Sequence, residues 1–261
     1  MLFPDDCRIC AKPLRNISRI PVCPACLAVP RPLVADRFCV VCQSPFVEAY
    51  PLDGQDICMV CRGGKPSYDA TYSYGSYDGA LRELIRLFKY SRIESLSKPL
   101  GQLMVRAIPR HLSFDFVMPM PMHWYRQWRR GFNQAELLAR PVARLYGTPV
   151  SRHLRRVRLG KVQAGLGAEA RRENLKRAFQ VKRTGEIAGK KILLIDDVLT
   201  TGSTLHAAAA ALKAAGAAQV VSLTLARVVR QDTAGRLSGQ RFEPDLAMGI
   251  ATSEGRLRAE G

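Results

Sequence analysis

Residues 191–205, KILLIDDVLTTGSTL, leave the fewest architectures open to this chain. Ile192, Leu193, Leu194 and Ile195 form a short unbroken apolar run, the mark of a parallel strand buried on both faces. Asp196 and Asp197 follow. The small or hydroxylated residues Thr200, Thr201, Gly202, Ser203 and Thr204 come next, and then an alanine-rich helical stretch. A strand that turns through a tight loop into a helix is one unit of an α/β sheet. Open parallel sheets bind ligands beyond the carboxyl ends of such strands. The two halves of the segment ask for different chemistry. Free N–H groups and the dipole at a helix N-terminus attract a phosphate, whereas carboxylates repel one and accept hydrogen bonds from vicinal hydroxyls. A ribose 5-phosphate satisfies both halves. A routine strand-end acid and a routine helix cap would account for only one acid and one hydroxyl.

The flanking sequence supports an α/β core with a parallel sheet. YDATYSYGSY (68–77) alternates as a strand, and DGALRELIRLFKY (78–90) has helical spacing with Asp78 as its cap. A second helix is expected over 96–108. FDFVMPMP (114–121) reads as a buried strand stopped by prolines, and NQAELLARPVARLYG (133–147) as a helix kinked at Pro141. Further expectations are a short strand near 149–157, a loop over 159–170 and a strand near 176–182. The helix 203–215 is closed by Gly216 at C′, and QVVSLTLARVV (219–229) is the next strand. From about 231 the chain is rich in Gly, Arg and acids without period and reads as a disordered tail. Residues 205–229 are interrupted by Lys213 and Gly216, so no membrane span is expected there. The start, MLFPDDCRIC, lacks a basic region followed by an apolar run, so no signal peptide is expected and the cytoplasm is the default compartment.

All eight cysteines fall within residues 7–61, as Cys7/Cys10, Cys23/Cys26, Cys39/Cys42 and Cys58/Cys61. Redox chemistry of the thioredoxin kind needs one such pair beside a βαβ unit, not four in a segment punctuated by Gly and Pro. Two CxxC knuckles close a tetrahedral shell of four thiolates around zinc and leave no open position for catalysis. The expectation is two structural zinc ions, with the sites in chain order favoured and a cross-braced arrangement left open. The segment is too polar to build its own core, so metal supplies its folding energy. A chelator is then expected to unfold the first sixty-odd residues and spare the rest.

The net charge is +18, and its distribution is uneven. Residues 1–61 balance to zero, while residues 111–190 carry +12 through runs such as RQWRR and RHLRRVR. Any single run reads as a solvated face. Two-thirds of the excess in one stretch points to a polyanion, either pyrophosphate or nucleic acid.

The segment from Ile192 to Thr204 resembles the phosphoribosyl pyrophosphate (PRPP) motif of type I phosphoribosyltransferases. A Walker B strand also fits ILLIDD, but the nearest partner loop, GEIAGKK (185–191), has one residue too few between its glycines and Lys where Ser or Thr should stand. With the CxxC segment, WRRGFNQAELLA (128–139) and RRENLKRAF (171–179), the chain resembles the ComF/GntX family over nearly all of residues 7–229. These are competence or DNA-utilisation proteins with a phosphoribosyltransferase-like domain. One departure stands out: Gly160 precedes Gln163, where the family's flexible loop has Thr in a T-x-x-Q pattern.

The resemblance implies a type I phosphoribosyltransferase-like parallel sheet flanked by helices and preceded by a small double-zinc module. The domains would be residues 1–64, residues 65–230 and a tail over 231–261. Asp196 and Asp197 would be the catalytic pair, holding the 2- and 3-hydroxyls of PRPP. Thr200, Thr201, Gly202, Ser203 and Thr204 would hold the 5-phosphate. Mg²⁺ would travel with the pyrophosphate and rest largely on substrate oxygens. The turn from Pro119 to His123, with Arg129 and Arg130, is the candidate pyrophosphate contact. Lys161 and Gln163 would close over bound substrate. Asn133 and Gln134 read as a helix N-cap and its neighbour, and His123 and His206 receive no catalytic role.

Two functions follow. The favoured one is a PRPP-binding protein of DNA uptake or utilisation that handles single-stranded DNA, with protein partners of that process. The zinc module occupies the place of a base-recognition hood, and Trp124, Tyr125, Trp128 and Phe132 lie among basic residues where they could stack bases. The alternative is an active Mg-dependent phosphoribosyltransferase in nucleotide salvage, with an acceptor that cannot be read from the sequence.

Overall fold

A computed structural model describes residues 6–14, 19–35, 37–43, 45–46, 52–62, 64, 66–157 and 178–229. The cysteine-rich segment carries only short elements: α1 (Pro24–Ala28), the antiparallel pair β1 (Arg37–Phe38) and β2 (Pro45–Phe46), and α2 (Met59–Arg62). After it come β3 (Ala70–Ser76), α3 (Gly79–Tyr90), α4 (Ser97–Val105), β4 (Phe116–Pro119), α5 (Trp124–Arg130) and α6 (Gln134–Tyr146). The chain continues through the antiparallel pair β5 (Leu154–Arg156) and β6 (Phe179–Val181) to β7 (Lys191–Leu199), α7 (Ser203–Ala214) and β8 (Gln219–Arg227).

The expected parallel sheet is present, with four strands in the order β3-β8-β7-β4 and every pairing parallel. Its two central strands, β7 with the apolar run Ile192–Ile195 and β8, are buried on both faces. Leu193, Ile195, Val221 and Leu223 join the cluster made with Leu84 and Phe88 of α3, Leu100 of α4 and Leu138 of α6. Their alternates Ile192, Leu194 and Val220 pack with Leu205, Ala208 and Leu212 of α7. Full burial of one such side chain contributes about 1.5–3 kcal/mol, so this alternation dictates the register. The turn after α7 is a Schellman closure. Gly216 N–H donates to Lys213 O at 2.9 Å and Ala217 N–H to Leu212 O at 3.1 Å, with Gly216 at C′ as expected.

Several boundaries differ from the sequence reading. β7 does not stop at the acids but runs on to Leu199, because β8 continues to pair beside it through Leu199↔Arg227. The strand expected over 114–121 is confined to Phe116–Pro119: Met120 N–H still donates to Ile195 O, and the chain then leaves the sheet at Pro121. The strand expected near 149–157 is two features, a parallel bridge of Val150 to Val117 and the separate strand β5. The helix expected over 96–108 is a 3₁₀ turn, Glu94–Leu96, followed by α4. Asp78 holds the N-cap position of α3 without a side-chain cap bond. The loop over 159–170, with Lys161 and Gln163, and the tail over 231–261 lie outside the described residues.

Among the described residues, the cysteine segment packs into the cores on the two faces of the sheet and forms none of its own. Cys7, Val22 and Cys26 belong to the apolar cluster on one face of the sheet. Cys39, Cys42, Phe46, Cys58 and Cys61 belong to the cluster on the other. Residues 30–33 run along edge strand β3, where Tyr74 Oη donates to Pro30 O at 2.9 Å and Leu33 N–H donates to Tyr74 O at 2.7 Å.

Pro141 lies within α6 without ending it, and its ring meets α4 where that helix has Gly101. A Cβ at Gly101 would stand 2.6 Å from Pro141 Cγ. Alanine gains about 1 kcal/mol over glycine in an open helix, but overpacking a core costs about 1–3 kcal/mol. Gly101→Ala is therefore expected to lower the denaturant midpoint, and Gly101→Val to lower it further. A midpoint that rises would mean that α4 and α6 are not held this close.

Candidate functional site

Beyond the carboxyl ends of β4 and β7 lies a cavity of about 800 Å³, the natural position for a ligand in a parallel sheet. Asp196 and Asp197 form its floor, where β7 continues after β4 has ended. The other walls come from far apart in sequence: Lys89 and Tyr90 at the end of α3, Arg92, residues 120–122 after β4, Arg130, the start of α6, Arg156 of β5 and Thr204 of α7.

The electrostatics are those of a paired acid site. Lys89 Nζ stands 3.0 Å from Asp197 Oδ1, with the two side chains only 15% and 13% exposed. Asp196 Oδ1 accepts from the N–H of Asp197 at 2.9 Å. Burial, with the Asp197 charge beside it, raises the Asp196 carboxyl to about 7, against the Asp197 N–H and the charges of Lys89 and Arg156. Four cationic side chains therefore ring two acids, one of which titrates near neutrality. Such a cavity suits a ligand with both anionic and hydroxyl groups.

The loop after β7 begins a helix in the way the sequence suggests. Gly202 has φ +73°, a left-handed conformation that leaves the chain free to turn into α7. Thr201 Oγ1 and Ser203 Oγ lie 3.0 Å apart at the mouth of the turn, beside first-turn N–H groups that have no partner within the helix. Of the expected phosphate residues only Thr204 lines the cavity. Thr200, Thr201, Gly202 and Ser203 form the loop next to it, with Thr200, Thr201 and Ser203 exposed.

The other expected residues divide. Arg130 lines the cavity, donates from Nη1 to Gln134 Oε1 at 3.0 Å, and lies over the Tyr90 ring at 5.6 Å. The side chain of Arg129 lies outside the described residues. Met120, Pro121 and Met122 line the cavity, while His123 is buried and caps α5 by accepting from Tyr125 N–H at 3.2 Å. Asn133 is the N-cap of α6 and also joins the site, since its Nδ2 donates to Met120 O at 3.1 Å and fixes the turn after β4. Lys89, Arg92 and Arg156 were not assigned to the cavity from sequence. The local signal for Lys89 was only a basic residue in the last turn of a helix, and its partner lies more than a hundred residues away.

The eight cysteines gather in chain order into two groups, Cys7/Cys10/Cys23/Cys26 and Cys39/Cys42/Cys58/Cys61. Within each group the sulfurs all lie within 4.8 Å of one another. A tetrahedral shell with zinc–sulfur bonds of about 2.3 Å separates its sulfurs by about 3.8 Å. Cys10–Cys23 at 3.8 Å and Cys42–Cys58 at 3.6 Å fit that shell. Backbone N–H groups also face the sulfurs: Cys23 N–H donates to Cys7 Sγ at 3.3 Å and Cys58 N–H to Cys39 Sγ at 3.4 Å. Burial raises the Cys26 and Cys61 thiols, and the Cys42 side chain raises Cys58. Four thiols this close ionise together only around a cation, so the donor set fits a divalent metal.

Two measurements test these readings. Both cysteine groups share core with the sheet, so stripping metal is expected to lower the melting temperature of the whole chain in one transition, not to melt residues 1–64 alone. Two separate calorimetric transitions would contradict this. The second measurement concerns Asp196, whose carboxyl is protonated up to about 7 in the folded chain and only up to about 4 in an unfolded one. The folded state therefore loses stability as pH rises from 4 to 7. Asp196→Asn should match the parent near pH 4 and exceed it by about 1–3 kcal/mol at pH 8. Equal urea midpoints at pH 8 would remove the buried-acid account.

The chain is similar in sequence to known proteins. A model of the phosphoribosyl transferase domain matches residues 135–237. Competence protein F of Haemophilus influenzae is 34% identical over 178 residues, spanning 65% of this chain and 78% of that protein. The DNA utilization protein YhgH of Salmonella typhimurium is 31% identical over 236 residues, spanning 88% of this chain and 100% of that protein. Among solved structures, the allosteric regulatory enzyme of purine biosynthesis is 18% identical, with a TM-score of 0.39 over 54% of this chain and 30% of that one. With 31% identity sustained along the full length of the Salmonella DNA utilization protein, the chain belongs to the family of the competence F (ComF) and DNA utilization proteins.

Proposed function

We propose that the cavity binds PRPP or a related ribose 5-phosphate together with Mg²⁺, and that the protein serves the uptake or utilisation of DNA by handling single strands. One observation carries the ligand reading: two acids share a floor with Thr204 of the α7 N-terminus and four cations. Asp196 and Asp197 accept from the ribose hydroxyls. The loop Thr200–Thr204 takes the 5-phosphate, and Arg130 with residues 120–122 faces the pyrophosphate. Mg²⁺ supplies charge neutralisation on the pyrophosphate oxygens. Zinc fills the two cysteine groups. Residues 1–64 serve as a metal module and residues 65–230 as the ligand-binding domain. No helix among the described residues is long and apolar enough to cross a membrane. We place the protein in the cytoplasm, where such thiols stay reduced, alongside protein partners of DNA uptake.

The DNA reading draws on the names of the relatives, a competence protein and a DNA utilization protein, and on the +12 carried by residues 111–190. The alternative, transfer of the phosphoribosyl group to an acceptor, draws on the cavity volume of about 800 Å³, which is ample for a second reactant.

Calorimetry with PRPP and Mg²⁺ tests the ligand. Affinity should rise as pH increases through about 7, because only ionised Asp196 accepts from a hydroxyl without offering its own proton. Asp196→Asn and Asp197→Asn should each weaken binding by about 1.5–3 kcal/mol, the worth of a charged hydrogen bond. Unchanged affinity in the double variant would refute the ribose reading. Release of pyrophosphate with a defined acceptor, and no DNA binding at low salt, would make the protein a plain transferase.

A further inference from the structure

Trp124, Tyr125 and Trp128 stand on the seven residues of α5 with exposures of 70%, 44% and 77%. Instead of entering the core they pack against one another. Trp124 meets Tyr125 edge-on at 6.0 Å, and Tyr125 lies 6.4 Å from Trp128 with a tilt of 32°. The nearby Phe132 turns inward against Phe88 at 6.0 Å. The exposed rings are therefore not unused core residues. A contiguous aromatic row on a surface marks a binding face.

The row borders two hollows through Tyr125 and Trp124. Tyr125 lines the sugar-phosphate cavity. Trp124 lines a second, adjoining hollow of about 460 Å³, which shares Pro121, Asn133 and Arg156 with the first and is also lined by Arg152 and Arg155. Among the described residues its one acid, Glu136, is paired with Arg140 and Arg152. Helix α5 itself, WYRQWRR, contains no acid. Exposed ring faces beside a surplus of arginine match a polymer in which flat uncharged groups alternate with phosphates. In a duplex the flat faces are already stacked on each other; in a single strand they are free.

We propose that α5 is the base-stacking platform of this protein, taking bases of a single-stranded nucleic acid on Trp124, Tyr125 and Trp128 while Arg152 and Arg155 hold its phosphates. The assignment rests on the single-strand reading above and adds the surface that carries it. Stacking on a ring releases no counterions, whereas each arginine–phosphate contact does. The two halves of the surface therefore leave different signatures in salt.

The chain has two tryptophans, both on α5, so intrinsic tryptophan emission reports this face alone. The full chain is titrated with a short oligothymidylate at several salt concentrations. A duplex of equal length and anionic vesicles serve as comparisons, and the anisotropy of a labelled oligonucleotide gives an independent binding signal. The single strand should quench the emission where duplex and vesicles do not. Trp128→Ala and Trp124→Ala should each weaken binding by about 5- to 100-fold with the log–log salt slope unchanged. Trp128→Phe, which keeps a ring, should recover most of the loss. Arg152→Ala with Arg155→Ala should flatten the slope by about one unit. Binding seen by anisotropy without a change in tryptophan emission would overturn the platform and leave the single-strand reading standing. No binding at low salt would overturn both. Quenching by vesicles or duplex in preference to the single strand would give this face to another partner.

Discussion

Keeping two carboxylates side by side at the end of an apolar strand is the constraint on which this site depends. Asp196 and Asp197 continue a run in which the four preceding residues are fully buried. The charge of each opposes ionisation of the other, and with burial it raises Asp196. Consecutive residues of a strand project to opposite faces, so the pair draws countercharges from two layers. Lys89 reaches Asp197 from α3, on the face covered by α3, α4 and α6. Arg156 acts on Asp196 from β5, whose Leu154 belongs to the cluster on the other face. The end of α3 and β5 thus supply countercharge to the pair from the two faces. Where the countercharges fall short, Asp196 responds by holding its proton to about 7.

What the sequence disclosed follows the range of the interactions involved. The central strands were legible because burial on both faces leaves a largely apolar run, unbroken in Ile192–Ile195 and interrupted only by the small hydroxyl residues Ser222 and Thr224 in Val220–Leu225. The Schellman closure at Gly216 and the Asn133 cap were legible because both are written within a few residues. The grouping of the cysteines was favoured over its rival by spacing, and the sulfurs adopt it. Lys89 and Arg92 were not legible as cavity residues, because their membership depends on how α3 crosses the sheet, which no local pattern records. The strand boundary at Leu199 was missed for a related reason: polar Asp196 and Asp197 look like a strand end, while the pairing that extends β7 belongs to β8. Short-range chemistry gave the loop and its acids; long-range packing supplied most of their countercharges.

The second cysteine group does more than stabilise its own segment, because it is built into the back of the ligand loop. Arg227, the last residue of β8, is the register partner of Leu199 just before that loop. Its buried guanidinium donates from Nη1 to Cys42 O at 2.8 Å and to Gln43 O at 2.7 Å. On the other side of the turn, His206 of α7 accepts from Ser67 N–H at 3.1 Å, and Tyr68 Oη lies 3.6 Å from where a Cβ on Gly202 would stand. Leu199, Leu205, Tyr68 and the four cysteines share one apolar cluster. A guanidinium buried this deeply is costly unless its hydrogen bonds are met and an opposing charge is near. Four thiolates around one divalent cation leave a net negative charge, so the group that fits metal also suits Arg227. The first cysteine group, in the cluster on the opposite face, has no such contact with the loop among the described residues. The two cysteine groups therefore differ in consequence although they match in chemistry: one packs on the sheet face covered by α3, α4 and α6, and the other forms the wall behind the turn from β7 into α7.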